Sequence, residues 1–187
     1  MNKIDLSKLS SEDLEWMIGL YLADGFKIKE KQRHYRTHFY LPPIKDGKIL
    51  EKLLKVFRIL KIKPHVRHVK KINTLFVRVC NKELFEILPQ KNEEFQPENK
   101  EALIAGFLDG DGYISIKEGS IGFSQTVVKW IGPFISNYLR DVGIIPWKEK
   151  YYRNAFYYRT SLKKVKEKTN IINLMVKAGE YTTLGKP

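Results

Sequence analysis

Met17-Ile18-Gly19-Leu20-Tyr21-Leu22-Ala23-Asp24-Gly25 and Ile104-Ala105-Gly106-Phe107-Leu108-Asp109-Gly110-Asp111-Gly112 are one nonapeptide pattern written twice. Both run through Gly, two apolar residues, a variable one and a small one, and both end in Asp-Gly. The copies lie 87 positions apart in a chain of 187 residues, close to half its length. Gly19 and Ala23, like Gly106 and Gly110, stand four apart, so each helix would carry a face stripped of bulk on which two backbones can approach closely. Each helix then stops on a carboxylate. The helix dipole favours cations there, not anions, so an acid at that position in both copies needs another reason. A divalent cation supplies one.

The flanking sequence repeats as well, in the order helix, two strands, helix, two strands, helix. In the first half, Ser10-Ser11-Glu12-Asp13 reads as a capping box. Strands are expected over 26–31 and 35–41, an amphipathic helix over 48–60, a hairpin from 64–69 and 74–79, and a closing helix over 82–88. In the second half, Pro97-Glu98-Asn99 opens the motif helix. The hairpin of 112–117 and 120–124 is shorter, and a helix over 128–142 follows. Strands over 147–152 and 155–160 turn at Arg153-Asn154, and 163–173 closes the unit. The expected organisation is a first repeat at 1–89, a linker at 90–97 and a second repeat at 98–187. The linker is polar and free of Gly/Ser runs, so a packed connection is expected.

These motifs resemble the paired signature sequences of single-chain LAGLIDADG homing endonucleases, and the resemblance extends over nearly the whole chain. It implies an α+β fold of two pseudo-twofold αββαββα repeats, with a central two-helix interface and a saddle-shaped antiparallel sheet. It also implies a site-specific, divalent-metal-dependent phosphodiester hydrolase that binds a long asymmetric DNA duplex and cuts both strands. The alternative on the same scaffold is a catalytically silent binder, such as an intron RNA maturase or a DNA-binding regulator. A protein-interaction module with incidental basicity is a third reading.

By the same resemblance, Asp24 and Asp111 are the catalytic metal ligands, aided by the main-chain carbonyls of Ala23 and Gly110. Hard carboxylate oxygens suit Mg²⁺, with Mn²⁺ as a substitute. Gln125 matches a family position that orders water near the metal. The first half has Leu41-Pro42-Pro43-Ile44 there, which breaks the symmetry and points to unequal rates on the two strands. Lys91 and Lys177, each beyond the closing helix of its half, are the candidates for peripheral cations. Asp109 has Leu22 as its counterpart; it is expected to cap a neighbouring helix or to be exposed, not to bind metal.

Composition agrees with a polyanionic partner. Lys and Arg number 34 against 21 Asp and Glu, a net charge of +13, which favours nucleic acid. Strand alternation puts Lys27, Lys29 and Lys31 on one face, with Phe26 and Ile28 opposite. It groups His34, Arg36, His38 and Tyr40 on a face of the next strand. Arg67, Arg78, Lys148, Lys150, Arg153 and Arg159 extend the basic set expected to contact DNA through a β-ribbon in the major groove. The aromatics Tyr151, Tyr152, Phe156, Tyr157 and Tyr158 read as sheet core.

Other chemistries are excluded. His34 and His38 would stand roughly 13 Å apart along a strand, and His65 and His68 face opposite sides of theirs, so neither pair holds an ion. No zinc spacing, P-loop or serine triad is present. The longest apolar run, Trp16 to Ala23, is far too short for a membrane span. With no signal-peptide core at the N-terminus and Cys80 as the single cysteine, a monomer in a reducing, non-secretory compartment (cytoplasm or organellar matrix) is expected. The Lys-rich, Gln-poor composition leans towards a thermophile. Intein splicing residues are not evident.

Overall fold

A computed structural model describes residues 4–30, 34–41 and 47–183. Lys31 and the Pro42-Pro43-Ile44 segment lie outside them. The first repeat runs α1 (Ser11–Asp24), β1 (Gly25–Lys29), β2 (Tyr35–Leu41), α2 (Lys48–Ile59), β3 (His65–Val69), β4 (Thr74–Cys80) and α3 (Lys82–Ile87). The second runs α4 (Lys100–Asp111), β5 (Gly112–Ser115), β6 (Ser120–Gln125), α5 (Ile131–Asp141), β7 (Lys148–Tyr152), β8 (Ala155–Ser161), α6 (Leu162–Lys168), α7 (Ile171–Leu174) and α8 (Val176–Thr183). Each repeat has its own antiparallel sheet, in the orders β1-β2-β4-β3 and β5-β6-β8-β7. The expected α+β duplication is therefore present.

The local signals act as their chemistry requires. Ser10 Oγ accepts the Asp13 N–H at the start of α1, and Asn99 Oδ1 accepts the Ala102 N–H at the start of α4; each satisfies an amide that the helix leaves unpaired. Arg153 and Asn154 both have positive φ, the backbone of a tight two-residue hairpin turn. Two boundaries differ from expectation. Helix α5 starts at Ile131 and not Val128, because Gln125 Oε1 takes the N–H groups of Thr126 and Val127 and holds that stretch in a turn. The closing helix of the second repeat breaks between α6 and α7, where Thr169 turns extended and its hydroxyl oxygen accepts the Ile171 N–H.

Helices α1 and α4 are buried all round, from Glu15 to Leu22 and from Ala102 to Asp109, as expected of helices at the centre of a fold. Their backbones touch. A Cβ on Gly19 would lie 2.0 Å from the Leu103 carbonyl oxygen, and one on Gly106 would lie 1.9 Å from that of Trp16. These contacts are related by the pseudo-twofold, since Trp16 and Leu103 are equivalent positions. Further along, a Cβ on Gly110 would meet the Ala23 methyl at 2.4 Å and the Asp24 Oδ2 at 2.7 Å. Contacts advance in step along both helices, so the pair runs parallel and ends together. One hydrophobic cluster spans both repeats around it.

Asp109 fastens this pair to the rest of the molecule. It is fully buried. Its Oδ2 accepts the Trp16 indole N–H and the Val176 N–H, and its Oδ1 accepts the Lys177 N–H, all at 2.8 Å. The carboxylate thus caps α8 while bridging α1 and α4. Capping is the expected role; an exposed side chain is not what is found.

Gly106→Ala forces a methyl onto a backbone oxygen and is expected to cost at least about 3 kcal/mol. Asp109→Ala, which strands the buried Trp16 indole N–H and the partly buried N–H groups of Val176 and Lys177, is expected to cost a similar ~3 kcal/mol. Thermal or urea unfolding measures both, with the exposed Gly179→Ala as a near-neutral control.

Candidate active site and nucleic-acid face

The parallel packing of α1 and α4 delivers Asp24 and Asp111 to one place, each the last residue of its helix. Two helix C-termini and two carboxylates gather there, an arrangement that repels itself. Burial is the main reason that the Asp24 carboxyl is pushed up to about 6, and the Asp111 charge adds to it; Lys177 and Lys91 pull the other way. Asp111 is raised by burial too, against the pull of the same two lysines. The partners of the two acids differ. Asp111 Oδ2 accepts the Gln125 amide N–H at 2.7 Å, whereas Asp24 Oδ2 is buried with no hydrogen-bond partner.

The orientation of Gln125 follows from its neighbours. Its Oε1 accepts two backbone N–H groups, at 2.6 and 2.7 Å, so the Nε2 has to be the group facing Asp111. Strand register identifies its counterpart. Gly25 pairs with Phe39 and Gly112 with Phe123, which puts Leu41 in the first repeat where Gln125 stands in the second. Leu41 is buried and apolar. It has no donor to offer Asp24.

Both peripheral lysine candidates reach this site. Lys91 Nζ donates to the Ala23 carbonyl at 3.4 Å, and burial lowers its pKa against the opposing effect of Asp111 and Asp24. Lys177 Nζ donates to the Gly112 carbonyl at 2.8 Å and to that of Gly110 at 3.3 Å. Its position depends on Asp109, which holds the Lys177 backbone at the start of α8.

The donor set suits a hard divalent ion. Two carboxylates converge, one with a buried oxygen lacking any partner, and the Ala23 and Gly110 carbonyls lie beside them. No group of three or more His, Cys, Asp or Glu with metal geometry exists among the described residues. Mg²⁺, which takes few protein ligands and retains water, needs no more than one or two carboxylates.

The sheets each have a core face and an open face, and the register says which residues share them. In the first sheet Thr37, Phe39, Leu41, Val77 and Val79 are buried on the core face. Arg36, His38 and Tyr40 share the open face with Arg78 and Phe76, and on the edge strand Arg67 and His65 join them. In the second sheet Arg159, Lys148 and Lys150 are on the open face, and Arg153 is at the hairpin tip. His34 is exposed just ahead of β2.

The lysines of β1 are a correction. Lys27 pairs with Thr37 and Lys29 with Tyr35, which puts both on the helix side of the sheet. Lys27 Nζ donates to the Phe85 and Leu88 carbonyls, closing the C-terminus of α3, where a cation is favoured. Lys29 lies over the Tyr35 ring. The face opposite them, with Phe26 and Ile28, is the open one. Among the aromatics expected in the core, Phe156 and Tyr158 are buried there, while Tyr152 and Tyr157 share the open face with Lys150. Two arginines of the expected basic set are tied to acids: Arg36 to Glu30 at 2.6 Å and Arg159 to Glu118 at 2.7 Å. His65 and Tyr113 on the open face were not singled out from sequence.

No protein-family model matches the sequence, and no curated protein is significantly similar to it. Solved structures are. The homing endonuclease I-DmoI, in complex with DNA and Ca, superposes with a TM-score of 0.67 at 18% identity, over 92% of this chain and 98% of that one. The N-terminal LAGLIDADG domain of WhiA gives 0.58 at 16% identity, over 90% and 86%. The homing endonuclease I-WcaI, bound to its DNA recognition sequence, gives 0.55 at 16%, over 91% and 83%. The chain has the LAGLIDADG fold, with both repeats in a single polypeptide.

Proposed function

We propose that the protein is a divalent-metal-dependent endonuclease that binds a long asymmetric DNA duplex and cuts both strands at the junction of its two repeats. The observation that carries this reading is the buried, unpartnered Oδ2 of Asp24, brought against Asp111 by two touching helices. Leaving a buried charge unpaired is expensive, and a bound cation removes the expense. Asp24 and Asp111, with the carbonyls of Ala23 and Gly110, would hold the ion. Such an ion supplies Lewis acidity at the scissile phosphate and lowers the pKa of attacking water. The chain's own groups do the rest. Gln125, fixed by two backbone donors, holds Asp111 in one orientation. Lys91 and Lys177 offset charge on the phosphate. The open faces, with Arg67, Arg78, Lys148, Lys150 and Arg153 among their cations, track the duplex on either side. Support also comes from the solved neighbours, whose I-DmoI complexes contain DNA with Ca or Mn.

A second reading, a binder that does not cut, is favoured by one contact. The Lys177 ammonium already sits on the Gly110 and Gly112 carbonyls, where an ion would compete with it. A nicking assay with Mg²⁺ or Mn²⁺ on duplexes recovered from a randomised library separates the two. Asp24→Asn and Asp111→Asn are each expected to lower cleavage at least 100-fold with DNA affinity changed less than threefold (~0.6 kcal/mol). Wild-type protein that binds duplexes tightly and nicks none of them with either metal establishes the binder.

The raised Asp24 carboxyl fixes the sign of the pH dependence. Between the ordinary value of 3.8 and about 6 the folded state holds a proton that the unfolded chain has lost. Metal-free stability therefore falls as pH rises through this window and levels off above it, by at most ~3 kcal/mol from this group. Asp24→Asn is expected to recover part of that at pH 7 and to flatten the trend, leaving the share that belongs to the other carboxyls raised by burial, Asp111 among them. Ca²⁺ should raise the melting temperature at pH 7.5 and barely at pH 4.5.

The asymmetry of Leu41 and Gln125 predicts unequal strands. Gln125→Leu should slow nicking of one strand at least tenfold while the other changes less than threefold, read as nicked and linear products of a supercoiled plasmid carrying the site (a tenfold change is ~1.4 kcal/mol).

A further inference from the structure

The two open faces, aligned through their register, differ in kind. With Phe39 equivalent to Phe123, the central-strand residues Arg36, His38 and Tyr40 of the first sheet correspond to Ser120, Gly122 and Ser124 of the second. On the neighbouring strand, Ile28 corresponds to Ser115. The cations beside them are conserved in type between the sheets, since Arg78 and Arg67 correspond to Arg159 and Lys150. The floor between those cations has therefore changed while the rim has not.

In the first sheet that floor is an aromatic stack outside the hydrophobic core. Phe26 lies parallel to His38, centroids 4.5 Å apart, and stacks on Tyr40 at 5.5 Å; Phe76 closes on His38 at 5.0 Å and on Tyr40 at 5.1 Å. Both His38 ring nitrogens are buried without a partner. Burial, with Arg78 and Arg36 nearby, pushes the imidazole pKa down, so the ring is neutral. Ile28 and Tyr40 remain 42% and 38% exposed. A surface of this kind offers base edges almost no hydrogen bonds. It offers apolar contact, and the thymine 5-methyl is the one apolar group that the major groove presents. In the second sheet Ser120 and Gly122 are buried, and the exposed Ser124 and Tyr113 present hydroxyls instead.

We propose that the first repeat reads its half-site by apolar contact of Phe26, Ile28, Tyr40 and Phe76 with thymine methyl groups, whereas the second repeat reads its half-site by hydrogen bonds from hydroxyls and cations. The proposal rests on the DNA reading above and specifies which duplexes satisfy it: thymine-rich over the first sheet. It also favours DNA over RNA, which lacks those methyls and has a major groove too deep and narrow for side chains to read.

The full chain is used to select binding sites from a randomised duplex library in Ca²⁺, and a recovered site is resynthesised with deoxyuridine for thymidine in one half at a time. Uracil in the half lying over the first sheet is expected to weaken binding about fourfold per contacted methyl, ~0.8 kcal/mol for one buried carbon group. Uracil in the other half should change it less than twofold. The Tyr40→Ser/Phe76→Ser variant should lose the sensitivity and thereby show which half the first sheet contacts. Ile28→Ser, a single change at a half-exposed side chain, serves as the second variant should the double one unfold. Equal sensitivity in both halves, no sensitivity in either, or sensitivity unchanged in the variants overturns methyl reading and leaves the endonuclease standing. Failure to bind any duplex overturns both.

Discussion

Backbone contact between two parallel helices is the constraint from which the rest of this molecule follows. Gly19 against the Leu103 carbonyl and Gly106 against the Trp16 carbonyl bring the helix axes closer than any side chain allows. Because the helices run in the same direction, that closeness also brings both C-termini together. Each C-terminus carries roughly half a negative charge from its unpaired carbonyls, and each adds an aspartate. The geometry that builds the core thereby builds a concentration of negative charge that the protein alone only partly offsets, through Lys91 and Lys177. That concentration of charge is thus a consequence of the packing, not an addition to it, and it is what the proposed cation would answer.

Two carboxylates two residues apart on α4 show how function and structure divide. Asp109 receives three N–H donors, from two different segments of chain, and every one of them is backbone or indole. Its hydrogen-bonding capacity is spent on architecture. Asp111 receives one side-chain amide, and its partner Asp24 leaves an oxygen with none. In the proposed endonuclease, a bound ion would relieve what the fold leaves unrelieved at these two acids. The link between the two roles is α8: by capping it, Asp109 brings Lys177 to the carbonyls beside Asp111.

The duplication, the element order and the two terminal aspartates were all legible in the sequence, because each is written in local pattern. Gly spacing reports backbone approach, Ser10 and Asn99 report helix starts, and Arg153-Asn154 reports a turn. What escaped was decided by distant partners. Strand alternation separated Lys27 and Lys29 from Phe26 and Ile28 correctly, but nothing local says which parity faces the helices. The carbonyls at the end of α3, 58 and 61 residues away, settle it. Helix α8 was missed because its N-terminal amides are satisfied by Asp109, 67 residues earlier, and no capping residue precedes it in sequence. The ion pair Glu118–Arg159, 41 residues apart, was missed for the same reason.

A duplicated chain that remained under symmetric demand would diverge evenly across its length. This one has not. The paired glycines and the backbone contacts between the motif helices are matched across the pseudo-twofold, and so are the terminal aspartates in position. Gln125 against Leu41, and Ser120, Gly122 and Ser124 against Arg36, His38 and Tyr40, are not matched at all. The matched positions face the partner repeat, where a change in one copy strains the other. The unmatched ones face outward or towards a single acid, where each copy answers only to what it touches. Such a division is what a partner without twofold symmetry imposes on a pseudo-symmetric scaffold. The asymmetric duplex proposed above would be a partner of that kind.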